Sequence, residues 1–294
     1  MGVQYESQSD GTVATASGAT ITKPTGLAVG DIMVVVFSFI HTSAAIWSAT
    51  GWSNLDGVVT TFSSARNSGS EACVAVGYKV ATQTDVDATN FTFGSGGNSI
   101  LRAGTIFRIS GQDDEDPTGD WLGATSSGGT PSFATGVTPA NESLLIFAIT
   151  HAQSASSGVI SVGSYAIASS NPSWTERRDE ELSSQRSVMA IATANRPETT
   201  ITGAWSCAVA NTAGTTGSAS ILVSITVDTN VTVTPAVIVA NASVVDPAIS
   251  GGATITPAVI VANADVVDPT PTGQDKTVTN TSKSSTSWVN TDKS

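Results

Sequence analysis

Apolar and polar residues follow a strand-like pattern along most of the first 228 residues. Short runs rich in β-branched residues are bounded by Gly, Ser, Asn and Pro, and no segment keeps helical i, i+3, i+4, i+7 spacing over three turns. Some runs are continuously apolar, such as 32–37, and predict strands covered on both faces. Others alternate, as in 74–80, where Lys79 is predicted to point to water. The pattern predicts an all-β chain.

The predicted strands are short and closely spaced. They are 12–22, 31–40, 57–62, 72–81, 90–94, 99–109, 131–135, 143–150, 158–168, 187–194, 201–208 and 218–228. So many short strands in one domain favour a two-sheet β-sandwich or jelly roll over residues 1–228.

An internal echo divides this domain into halves. Residues 34–41 (VVVFSFIH) align with residues 144–151 (LLIFAITH) at an offset of 110, and each run is followed by a small-residue loop and a tryptophan, Trp52 or Trp174. Neither half alone has enough strands to cover its apolar face. We therefore expect two half-sandwiches that pair their central strands into one jelly roll, with two tandem sandwiches of about 110 residues as the alternative.

A 13-residue phrase is repeated after this domain, in the segment 229–270. Residues 235–247 read PAVIVANASVVDP and residues 257–269 read PAVIVANADVVDP. As strands, both copies are apolar on both faces, so a single chain cannot bury them. We expect self-association into a homotrimeric stalk; an extended Pro-punctuated linker is the alternative. The self-association residues are Val237, Ile238, Val239, Val259, Ile260 and Val261.

The last segment, 271–294, is polar and has its own echo, NTSKS followed by NTDKS. It holds Lys283, Trp288 and Lys293, and it gives an otherwise acidic chain a mildly basic end. We expect a docking tail that binds an acidic neighbour, with a disordered terminus as the alternative.

Charge and hydropathy exclude several classes of partner. The net charge is −12, which is the wrong sign for neutralising nucleic-acid phosphates or an anionic membrane surface. The N-terminus has no pattern of a secretory signal, and the longest apolar run, 32–40, is far shorter than the ~20 residues that span a bilayer. The expectation is a soluble protein made in the cytoplasm.

Few residues suggest chemistry, and no catalytic, cofactor or metal residue is predicted. His41 and His151 are interpreted as polar caps at strand ends. The acidic run 113–116 lacks the ligand spacing of a calcium loop and predicts a solvated turn, and 177–181 (RRDEE) predicts an exposed charged loop. Cys73 and Cys207 are expected to be buried free thiols, with a disulfide between them as the alternative.

The five tryptophans of the sandwich could fill the core or stack on sugar rings. Most are expected to be core fillers, and one or two to belong to a glycan-binding surface. They are Trp47, Trp52, Trp121, Trp174 and Trp205.

The order of motifs resembles the β-sandwich virion proteins of tailed bacteriophages, which are minor tail, fibre or head-decoration components. The motifs are ITKPTGLAVGDIMVVVFSF, GWSNL, VGYKVA, AGTIFRISG, TPANESLLIFAIT, the PAVIVANAxVVDP repeats and the closing TSKSSTSWVNTDKS. The resemblance implies a non-enzymatic structural protein of the virion that associates with itself, with other virion proteins and with host surface glycan. A carbohydrate-binding adhesin is the second hypothesis, and a polysaccharide-cleaving enzyme is the third.

Overall fold

The computed structural model describes residues 2–227, apart from 17, 42–46, 60, 69–70, 96–99, 114–115, 128–131, 134–141, 154–160, 168–171, 183–186, 196–203 and 211–215. The repeats and the tail lie outside these residues. The boundaries 1–228, 229–270 and 271–294 therefore stay predictions.

The described residues form antiparallel β-strands and one short helix, α1 (Gln83–Asp87), so the predicted all-β class is confirmed. The strands are β1 (Gln4–Ala16), β2 (Gly18–Thr22), β3 (Ile32–Ile40), β4 (Ser63–Arg66), β5 (Ala72–Val80), β6 (Asn90–Gly94), β7 (Ile100–Ser110), β8 (Thr118–Ser127), β9 (Ser132–Phe133), β10 (Leu144–Gln153), β11 (Ser161–Ile167), β12 (Thr175–Leu182), β13 (Ser187–Asn195), β14 (Trp205–Ala210) and β15 (Thr216–Ile225). Among the described residues no helix is long and apolar enough to cross a membrane.

The two halves of the chain build sheets with the same connectivity. The first half forms a five-stranded sheet of order β1-β7-β3-β5-β4 and the pair β2-β6. The second half forms β8-β15-β10-β13-β12 and the three-stranded sheet β9-β14-β11. β3 and β10, the strands that carry the sequence echo, hold the central position of their sheets.

The predicted pairing of the two central strands is wrong. β3 is hydrogen-bonded to β5 on one side and β7 on the other, and β10 to β13 and β15. Both edges of each strand are therefore used within its own half, and no edge is left for the other half. The halves meet through the faces of their large sheets instead.

Alternate residues of the central strands enter different cores. Val34 and Ile146 lie in a core shared by the two large sheets, whereas Phe37 packs beneath β2 and β6 and Phe147 beneath β11 and β14. β3 is thus covered on both faces, as its continuous apolar run predicts, and residues 32–37 are all 0 % exposed. The result is four β layers with three apolar cores between them.

Two segments differ from the sequence prediction. Residues 57–62, predicted as a strand, precede β4, and Val58 and Val59 are 54 % and 68 % exposed. The charged run 177–181, predicted as an exposed loop, lies inside β12, where Arg178 is buried at a β-bulge. β12 is an edge strand, so its polar side chains need no apolar alternation.

Polar contacts also join the two halves. Thr150 Oγ1 of β10 lies 2.7 Å from Ser38 Oγ and donates to the Cys73 carbonyl at 2.6 Å. Arg178 donates to the Gly104 carbonyl at 2.5 Å and to Thr105 Oγ1 at 2.7 Å. Because buried polar groups need partners with defined geometry, these contacts set one relative position of the two large sheets.

The two cysteines are free and buried, so the alternative of a disulfide between them is wrong. Cys73 lies in the outer core of the first half and Cys207 in the outer core of the second, with both large sheets between those cores. Burial raises the pKa of Cys73 to about 11 and that of Cys207 to about 12. Both thiols are therefore protonated at neutral pH.

Candidate functional site

The predicted self-association residues, Val237 to Val239 and Val259 to Val261, lie outside the described residues. So do the docking-tail residues Lys283, Trp288 and Lys293. Their roles stay predictions, and the geometry below concerns the sandwich alone.

The two histidines occupy different environments. His41 follows β3 and is half-buried, and its carbonyl accepts a hydrogen bond from Arg66 Nε at 3.0 Å. His151 lies within β10, is 0 % exposed, and its Nδ1 is 2.7 Å from Ser218 Oγ. Burial lowers the pKa of His151 to about 4, so its imidazole is neutral at physiological pH. His151 is a core residue rather than the predicted cap at a strand end.

The acidic run leads into a groove between the two halves. Its lining includes Asp116 just before β8, Asp120 and Trp121 within β8, and Asp56 from the first half, and its volume is ≈ 730 Å³. Trp121 Nε1 donates to Asp56 Oδ1 at 2.9 Å. Across the described ranges, no three His, Cys, Asp or Glu side chains are grouped closely enough to hold a metal ion.

Most of the tryptophans are core residues, as the sequence predicts. Trp47, Trp52 and Trp205 are at most 2 % exposed and fill the outer cores. Trp121 and Trp174 are only half-buried, and each lines a groove. Trp121 and Trp174 are therefore the tryptophans among the described residues that a ligand could contact.

The groove at Trp174, here called the Trp174 groove, lies on the outer side of the second half and has a volume of ≈ 440 Å³. The Trp174 ring is 6.2 Å from the Tyr165 ring and 6.1 Å from the Phe147 ring, which packs it against the outer core. The lining residues are Ser164, Tyr165, Pro172, Ser173, Trp174 and Glu176. The Trp174 ring therefore shares this groove with the serine hydroxyls of Ser164 and Ser173 and the carboxylate of Glu176.

Two details of β11 distinguish this groove. Ser164 has a φ of 51°, a left-handed conformation that is rare for a residue other than glycine, and it lies in a β-bulge between Gly163 and Ala166. The neighbouring Tyr165 hydroxyl is buried and has no hydrogen-bond partner among the described residues, and burial raises the pKa of Tyr165. A buried hydroxyl without a partner is uncommon because its desolvation is uncompensated.

A second buried polar group lies in the first half. Arg102 is 0 % exposed, and none of its three guanidinium nitrogens has a hydrogen-bond partner in the part of the chain that the structure describes. Its guanidinium carbon is 4.8 Å from the centroid of the Trp47 ring, a cation–π contact. Burial lowers the pKa of Arg102, although a guanidinium stays charged at any ordinary pH.

We expect Arg102→Met to raise the free energy of unfolding by about 1–2 kcal/mol. Burying an ion destabilises the fold by several kcal/mol, and the cation–π contact offsets only about 2 kcal/mol of this. Urea denaturation followed by tryptophan fluorescence measures the change, and Arg108→Met is the matched control, since Arg108 Nε pairs with Asp31 Oδ2 at 2.5 Å. A loss of stability in Arg102→Met equal to that of the control would contradict the prediction.

Sequence reasoning missed Ser164, Tyr165, Glu176 and Arg102. Arg102 had a visible signal, because it interrupts the apolar run of β7, ILRAGTIFRIS. The groove residues had none, since they come from β11, from β12 and from the residues just before β12, which meet only in the folded chain.

No protein-family model matches this chain, and neither the curated proteins nor the solved structures contain a significant match to it.

Proposed function

We propose that this chain is a non-enzymatic structural component of a tailed-phage virion, in the class of minor tail, fibre or head-decoration proteins. The observation that carries the proposal is the repeat pair 235–247 and 257–269, whose strand pattern is apolar on both faces. Two copies in one chain are fewer than the three or more that a repeat array needs to bury its faces. Three chains supply six copies, so assembly is the activity of this segment.

The proposal includes a jelly-roll fold for each half of the sandwich. Its support is the strand order β1-β7-β3-β5 with β2-β6 in the first half and the equivalent order in the second. The first strand of each half lies beside the last, and the second beside the next to last. Double-sheet jelly rolls of this kind recur in viral capsid proteins and lectins.

Within the particle, the sandwich would be the displayed body and the tail the point of attachment. The core shared by both large sheets and the contacts of Arg178 and Thr150 make the sandwich rigid enough for such a body. The basic tail residues Lys283 and Lys293, with Trp288 between them, would bind an acidic surface of a neighbouring virion protein.

Light scattering of the full chain tests the assembly step. We expect a particle with three times the 29.7 kDa chain mass. A double variant, Ile238→Asp with Ile260→Asp, should be monomeric, because each chain would then have a carboxylate in both repeats. Ser243→Asp is the matched control, since the second copy already has Asp265 at that position. A monomeric wild-type chain in dilute solution would refute trimerisation by the repeats.

Imaging of intact particles tests the virion assignment. An antibody against the sandwich should label purified phage particles at one site, the tail or the head surface. The proposal would be excluded if the infected host expresses the chain but the purified particles carry no label.

A further inference from the structure

Equivalent tryptophans in the two halves of the sandwich differ in burial. In the first half, Trp52 is 2 % exposed and its ring packs against those of Phe91 and Phe93 at 5.8 Å and 5.1 Å. In the second half, Trp174 follows the corresponding central strand and is half-buried at the wall of a groove. This tryptophan is thus enclosed in the outer core of one half and borders an open groove in the other.

The side chains of the Trp174 groove match the surface of a sugar ring. A pyranose has an apolar face of C–H groups and a rim of hydroxyls, and tryptophan offers a large apolar surface to the first. The exposed Glu176 carboxylate accepts hydrogen bonds from hydroxyls, and the Ser164 and Ser173 hydroxyls donate and accept them. The volume of ≈ 440 Å³ is within the range of small-ligand sites.

Ser164, whose backbone is strained, and Tyr165, whose hydroxyl is buried, both line this groove. The left-handed φ of Ser164 costs free energy that the fold must supply, and such residues concentrate at binding sites. The buried Tyr165 hydroxyl beside it is a donor without an acceptor among the described residues.

The charge around the groove disfavours an anionic ligand. Glu176 lines the groove, and the Asp179 carboxylate lies nearby on β12. Burial and, to a smaller extent, the negative charge of Asp179 raise the pKa of Glu176. The whole chain carries a net charge of −12. An acidic sugar, a phosphate or an acidic peptide would be repelled by these carboxylates.

We propose that the Trp174 groove binds an uncharged hexopyranose unit of a polysaccharide. Trp174 stacks on the C–H face of the ring, and Ser164, Ser173 and Glu176 form hydrogen bonds with its hydroxyls. All the residues of this site lie in the sandwich and none in the repeats. The proposal therefore does not depend on trimerisation or on the virion assignment.

A glycan array tests the proposal with the full chain. It holds uncharged oligosaccharides built from hexoses and N-acetylhexosamines, and acidic oligosaccharides for comparison. Ligands found on the array are then titrated in solution by NMR. Trp174→Ala should weaken binding at least tenfold, and so should Glu176→Lys, which changes an exposed side chain without a role in the core. The matched control is Trp121→Ala, which removes the half-buried tryptophan of the other groove and should leave the affinity unchanged.

Four results would overturn the proposal. The first is no binding of the wild-type chain to any uncharged glycan, and the second is binding to acidic glycans alone. The third is an affinity that Glu176→Lys leaves unchanged; this variant decides the matter even when Trp174→Ala does not fold. A loss of binding in Trp121→Ala and not in Trp174→Ala would likewise assign the sugar to the groove between the halves.

Discussion

Arg178→Met should lower the free energy of unfolding of the sandwich by about 2–4 kcal/mol, because each buried acceptor left without its donor costs about 1–3 kcal/mol. Arg178 is 8 % exposed and reaches from β12 of the second half to the first half. It donates to the Gly104 carbonyl at 2.5 Å and Thr105 Oγ1 at 2.7 Å, lies 3.4 Å from Asp10 Oδ1, and pairs with Glu180. Methionine fills much of the same space but leaves these acceptors without their donor.

Urea denaturation of the full chain, followed by tryptophan fluorescence, measures this loss. Arg66→Met is the matched control, because Arg66 Nε donates to the His41 carbonyl at 3.0 Å, within the first half. The control should lose about 1 kcal/mol, the usual net value of one hydrogen bond. Equal losses in the two variants would show that Arg178 does not join the halves.

His151 should make the sandwich about 3 kcal/mol less stable at pH 4 than at pH 7.5, since each unit of pKa shift is worth 1.36 kcal/mol. Its folded-state pKa is about 4, below the ordinary 6.5, because burial disfavours the imidazolium. As the pH falls below 6.5, the unfolded chain binds a proton that the folded chain does not bind until about pH 4. The stability from this group is therefore complete above pH 6.5 and is lost between 6.5 and 4.

The free energy of unfolding of the wild type and of His151→Gln, measured from pH 7.5 to pH 4, isolates this effect. Glutamine does not titrate and has a side-chain amide that can hydrogen-bond to Ser218, whose Oγ lies 2.7 Å from His151 Nδ1. All other side chains are the same in the two proteins, so their contributions cancel in the difference. A difference between the two proteins that stays constant with pH would contradict the assignment of a neutral, buried His151.

The equivalence of β3 and β10 could be predicted from the sequence, but the way in which the halves meet could not. Both runs are apolar on both faces, which shows that each strand is buried. The same pattern is expected whether the two strands pair with each other in one sheet or lie in two sheets that pack face to face. Strands pair through backbone hydrogen bonds, so the side chains of such a run do not show which strand is its neighbour. The sequence therefore predicted the correct central strands and the wrong relation between them.

Charged residues misled the prediction for a related reason. The run 177–181 has no apolar alternation, yet it forms part of β12, because one side chain, Arg178, is buried at a bulge by acceptors from the other half. Those acceptors lie more than 70 positions earlier in the chain. A local pattern cannot show that a charged side chain will find its partners at such a distance.

The sequence by itself determined the all-β class, the duplication and the role of most tryptophans as core residues. Each of these follows from composition or periodicity, which act locally along a strand. The tertiary structure alone decided that the large sheets meet face to face, that Cys73 and Cys207 lie in separate cores, and that Trp174 lines a groove while Trp52 is enclosed. These properties depend on which layers cover a residue, and that coverage comes from segments far apart in the chain.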